Sequence, residues 1–150
     1  MEKNKMTNPG ERLLCEIYKN ANMGEDSLCM LIGKVKDEKL RRDITCQLDT
    51  YAGYAQTAKN KLANMNVKAK ELSPIAKISS EISMAVSTMT DSSAQKLAEL
   101  IIEGSTMGIV ELKKQITAAK NENAPEHIVN FANEVVTFEE NNINRMKEYL

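Results

Sequence analysis

Glu139 and Asn142 stand three residues apart near the C-terminus, in "FEENN", with Val135 and Phe138 close by in the chain. That spacing puts both side chains on one face of a helix, and the apolar neighbours turn the face inward. A carboxylate placed there costs several kcal/mol unless it is paired, hydrogen-bonded or neutralised, so Glu139 requires partners. Gln47, Tyr51, Asn142 and Ser105 have the donors and acceptors to serve. Two chemistries fit this set. One is a polar layer that fixes helix register; the other is a hard metal ion held by oxygen and amide donors, with Glu25, Gln47, Glu139 and Asn142 as candidate ligands.

Glycines mark the same level of the chain. Gly24, in "MGED", and Gly104 and Gly108, in "GSTMG" with Ser105 between them, all fall on apolar helical stripes. Each costs about 1 kcal/mol against Ala inside a helix, so packing or a ligand must offset it. Either the glycines let backbones approach and admit the bulk of Tyr51 and Phe138, or they leave a cavity.

The elements that must position these residues are four long helices. The first begins at Asn8-Pro9-Gly10-Glu11, where Asn caps and Pro suits the first helical position. It runs to about Val35 on a stripe of Leu14, Ile17, Ala21, Gly24, Leu28 and Leu31. The second starts near Asp37 and carries Ile44, Leu48, Tyr51, Ala55, Ala58, Leu62 and Met65. A very short turn between them requires an antiparallel hairpin. The third starts at "TDSSAQ", capped by Thr90, Asp91 or Ser92, and runs to about Lys120 with Leu97, Ile101, Leu112 and Ile116 inward and Glu103 outward. The fourth follows "KNENAPEH", capped by Asn123 or Ala124, with Ile128, Phe131, Ala132, Val135, Phe138, Asn142, Met146 and Tyr149.

Between the second and third lies a connection with its own start signal at Ser73-Pro74 and one apolar side, Ile75, Ile78, Ile82, Ala85 and Met89. Helical and extended pieces together reach roughly 55 Å, enough to cross the bundle's length. A single helix over 74–120 would instead be roughly 70 Å long and overhang its partners, so two helices are expected.

The chain of 150 residues is one all-α domain, 1–150, with 1–7 expected as a flexible tail. Twenty Lys and Arg against 21 Asp and Glu leave a net charge of -1, without the basic concentration that nucleic acid needs. A polar N-terminus and the absence of a long apolar run predict no membrane span and a cytoplasmic location. Cys15, Cys29 and Cys46 match neither a disulfide framework nor a zinc knuckle, so reduced thiols are expected.

Two antiparallel hairpins joined by a long crossover resemble the ferritin-like four-helix bundle. "MTDSSAQKLAELIIEGSTMGIVEL", "IYKNANMGEDS" and "FEENNINRMKEYL" look like a group of uncharacterised bacterial ferritin-like proteins. The resemblance implies a central di-metal centre, built from a Glu on each of two helices and a Glu-x-x-His on each of the other two. This chain departs from that pattern. Its one histidine, His127, lies in the first turn of the last helix, and Asn142 stands where the motif needs His.

The expected function is therefore a ferritin-like bundle without a complete di-metal centre and without a cofactor, a structural or interaction protein. Homodimerisation is expected from an apolar surplus at Leu13, Tyr18, Met30, Ile102 and Ile109. One alternative is a residual iron or manganese protein using Glu25, Gln47, Glu139 and Asn142. Another is a carrier of small apolar ligands, its pocket lying where Gly24, Gly104 and Gly108 leave volume empty.

Overall fold

A computed structural model describes residues 8–67 and 80–150. Helix α1 spans Pro9–Ile32, α2 Glu38–Asn64, α3 Ser80–Ser87, α4 Ala94–Asn121 and α5 Glu126–Met146, and a short 3-10 turn, Lys147–Tyr149, follows. Among the described residues there is no strand, and no helix is long and apolar enough to cross a membrane. The expected start signal at Ser73-Pro74, with Ile75 and Ile78, lies outside the described residues, as does the tail 1–7. Residues 88–93 separate α3 from α4, so the 80–121 stretch is two helices.

Local chemistry sets the boundaries. Asn8 caps α1 as its sequence predicts, accepting from the backbone of Gly10 at 2.7 Å and Glu11 at 3.3 Å, with Pro9 in the first position. Its side chain serves two of the N–H groups that every helix start leaves unpaired, so Asn8→Ala is expected to lower unfolding stability in urea by about 1 kcal/mol. Helix α1 stops at Ile32 rather than near Val35, because the Arg41 guanidinium reaches over from α2 and takes the carbonyls of Ile32 and Val35. Asp37 then caps α2 through the Leu40 N–H at 2.9 Å.

Two other caps differ from expectation. Ser93, not Thr90, Asp91 or Ser92, caps α4 through Lys96, because Asp91 spends its carboxylate on the Ser93 N–H at 2.9 Å. Neither Asn123 nor Ala124 caps α5, which starts after Pro125 without a side-chain cap. Asn123 instead closes α4 at φ 63°, as Asn66 closes α2 at φ 66°. Asn tolerates that left-handed conformation better than most residues, and it lets Ala124 and Val67 bond back to the Ala119 and Leu62 carbonyls.

Pairs of contacts give the helix directions. Arg12 with Glu122, and Asn20 with Gly108, run α1 and α4 antiparallel. Asp43 with Arg145, and Tyr51 with Glu139, do the same for α2 and α5. Gly10 beside Ile128, and Asn20 beside Glu139, make α1 and α5 parallel. Two apolar clusters fill the interior. One holds Leu14, Leu62, Leu112 and Ile128; the other holds Leu28, Leu40, Leu97 and Met146, with Val86 of α3 packed into it. Along α4 and α5 the middle level falls between them, with Gly104, Ser105 and Gly108 on α4 and Glu139 and Asn142 on α5.

Of the five residues read as an apolar surplus, Leu13 lies in the core at 1% exposure. Tyr18, Met30, Ile102 and Ile109 are partly buried against the two clusters. Leu13 thus widens α1's inner face beyond the stripe that starts at Leu14.

Candidate functional site

Helix α5 carries Glu139 into the interior, where it is only 2% exposed. Its Oε2 accepts a hydrogen bond from the Tyr51 hydroxyl of α2 at 2.9 Å, and its Oε1 accepts from the Asn20 amide of α1 at 3.4 Å. Gly108 of α4 completes the surround. A Cβ there would lie 3.0 Å from both the Asn20 amide nitrogen and Glu139 Oε2, so glycine lets the α4 backbone close onto the carboxylate. The Asn20 amide also donates to the Gly108 carbonyl at 3.2 Å. All four long helices thus meet at one buried carboxyl group.

Gly24 has a different task. A Cβ on it would stand 2.5 Å from Tyr51 Cζ, so the tyrosine ring fills the space that a side chain would need. Of the two readings, close packing that admits the bulk of Tyr51 is the one this glycine follows, and it also lines the cleft beside the layer. Phe138 meets Tyr51 edge-on at 4.9 Å and 83°, which holds the ring against α1. Tyr54 in turn packs on Phe138 and Phe131.

Burial is the main influence on Glu139 and pushes its carboxyl up to about 7, while the hydrogen bonds from Tyr51 and Asn20 pull the other way. The same burial, together with the nearby carboxylate, raises the Tyr51 phenol well above its ordinary value. Ser105 and Asn142, both buried, face the Tyr51 hydroxyl and partly oppose that rise. The layer is not saturated. Asn20 Oδ1, Gln47 Oε1 and Asn142 Nδ2 are buried without a hydrogen-bond partner.

Beside this layer a cleft of about 650 Å³ opens between α1 and α4. Gln47, Tyr51 and Glu139 are the residues that α2 and α5 contribute to it, so they form its floor. Leu28, Leu31, Ile101 and Leu112 wall it, and the half-exposed Met107 and Val110 stand at its mouth.

Of the residues singled out from sequence, Tyr51, Ser105, Gly108, Glu139 and Asn142 come together in this layer, while Gln47 and Gly104 line the adjoining cleft. Glu25 does not join them; it is half-buried on the flank of α1, outside the cleft lining. Asn20 was missed, although it precedes Gly24 by four residues and therefore shares its helix face. His127 is exposed at the start of α5.

The donor set does not fit a di-metal centre. Such a centre needs four carboxylates and two imidazoles for two divalent cations. This layer offers one carboxylate, with both oxygens engaged by Tyr51 and Asn20, and amides beside it. No three His, Cys, Asp or Glu side chains cluster among the described residues. The mismatch is one of charge and ligand type, since amide oxygens do not replace the missing anions. Compared with protein-family models, curated proteins and solved structures, the chain finds no match.

Proposed function

We propose that this chain is a ferritin-like bundle that has exchanged a metal centre for a polar layer, and that it binds a small, mainly apolar molecule without catalysing its conversion. The observation that carries the reading is the cleft between α1 and α4, apolar along its walls and polar at its floor, where Gln47, Tyr51 and Glu139 lie. Its volume falls in the range of small-molecule sites, and such sites combine apolar walls with few polar groups that fix orientation. The helix directions support the ferritin-like part, since α2 and α4 run parallel, as the second and third long helices of that bundle do. Support for a non-catalytic role comes from the residues themselves. The one histidine is remote from the layer, and Cys15, the buried thiol, is held at about 11 by burial, which leaves it protonated and unreactive.

Titration with N-phenyl-1-naphthylamine, a fluorophore that brightens in apolar surroundings, tests this. The expected outcome is saturable binding that Val110→Trp, which blocks the mouth at a half-exposed position, weakens about tenfold. No saturable brightening, or equal affinity in the variant, would remove the cleft as the site.

A further inference from the structure

We propose that the ligand taken by the cleft is an amphipathic primary amine, its ammonium group set against Glu139 and its hydrocarbon body lying along the walls of α1 and α4. The inference deepens the ligand-binding reading above and rests on it.

The hydrogen-bond inventory of the cleft floor carries the argument. The donors nearest the carboxylate are already used. Tyr51 gives its proton to Glu139 Oε2, and the Asn20 amide nitrogen gives its protons to Gly108 O and Glu139 Oε1. Acceptors are left over. Asn20 Oδ1 and Gln47 Oε1 have no partner, both belong to residues lining the cleft, and Gln47 is 96% buried, at 4% exposure. The Glu139 carboxylate has further lone pairs beyond the two bonds it accepts. A carboxylate or phosphate headgroup would face the Glu139 anion, and Asn142 Nδ2, the buried donor left without a partner, does not belong to a cleft-lining residue. A primary ammonium supplies three donors and no acceptor, which is the complement of this surplus.

Charge along the cleft points the same way. Its charged lining residues are Glu16, Lys19, Glu111 and Glu139, three acids and one base. Lys19, the one cation among these described residues, is paired with Glu16 at 3.1 Å, so it does not compete for the floor. Beyond the floor, Leu28, Leu31, Ile101 and Leu112 offer an apolar path that suits a hydrocarbon chain and offers nothing to a polar one. An amine that is charged at one end and apolar over its length matches both parts.

Calorimetric titration at pH 8 with octylamine, 1-octanol and octanoate separates the head groups while holding the chain length constant. Wild-type protein is expected to bind octylamine about tenfold or more tightly than 1-octanol, with octanoate weakest. In Glu139→Gln, which keeps the shape and the acceptor for Tyr51 while removing the charge, the preference for amine over alcohol is expected to fall to about one. If 1-octanol or octanoate binds wild type as tightly as octylamine, or if Glu139→Gln keeps the preference, the amine assignment is overturned and the cleft remains a ligand site of another class. If none of the three binds, the ligand-binding reading itself fails, and the amine assignment with it.

Discussion

Glu139→Gln is expected to gain about 3 kcal/mol of stability relative to wild type between pH 4 and pH 8. The folded protein holds the Glu139 carboxyl at about 7, against an ordinary 4.5. Over that interval the folded state binds more protons than the unfolded chain, so stability falls as pH rises through it, by roughly 1.4 kcal/mol for each pH unit. Below pH 4.5 carboxyl and amide are both neutral, and the two proteins are expected to differ by about 1 kcal/mol or less. Above pH 7 wild type carries a buried charge with two hydrogen bonds, while the variant carries none. Urea unfolding of both proteins at several pH values reads the divergence directly. Parallel stability curves across the interval would show that the carboxylate is solvated and that burial does not govern it.

A size exchange between Gly24 and Tyr51 gives the second large effect. Tyr51→Ala is expected to cost about 3 to 5 kcal/mol, because it empties a ring's volume at a position only 3% exposed and removes the donor to Glu139. Gly24→Leu alone is expected to destabilise by about 1 to 3 kcal/mol, since even its first carbon would stand 2.5 Å from the Tyr51 ring. Combined, the two are expected to cost less than the sum of their separate effects by about 1 to 3 kcal/mol, as the leucine occupies part of the space vacated by the ring. Additive losses in denaturant unfolding would mean that the two residues do not share that space. Tyr51→Phe combined with Gly24→Leu should show no such recovery, because the ring stays in place.

The sequence carried the all-helical fold because its apolar stripes are long and regular. Nearly every residue on the α1 stripe, from Leu14 to Leu31, is buried where its period of three and four puts it. Helix ends were less legible where a second side chain decides them, as Arg41 from α2 does for α1 and Asp91, two residues before the cap, does for α4. In the site, Glu139 announced itself as a carboxylate on an apolar face, and its need for Tyr51 followed from desolvation. Glu25 misled because helical position alone cannot separate the flank of a stripe from its centre. Asn20 escaped notice because an amide on a helix face carries little signal by itself; its role comes from Gly108 and Glu139 on two other helices. Part of the cleft was legible, since Gly24, Gly104 and Gly108, the glycines named for a pocket, all line it, although the Tyr51 ring covers Gly24. Its size depends on the spacing between α1 and α4, which no local pattern encodes.

Amide chemical-shift mapping during a titration with 1-octanol, which carries no charge and so does not depend on the amine assignment, tests the ligand-binding claim most directly. Saturable shifts concentrated on residues 20–31 of α1 and 100–112 of α4, with the Glu139 and Gln47 amides among them, are the predicted result. Shifts spread over the outer faces of the bundle, or none that saturate, would contradict a binding cleft between α1 and α4.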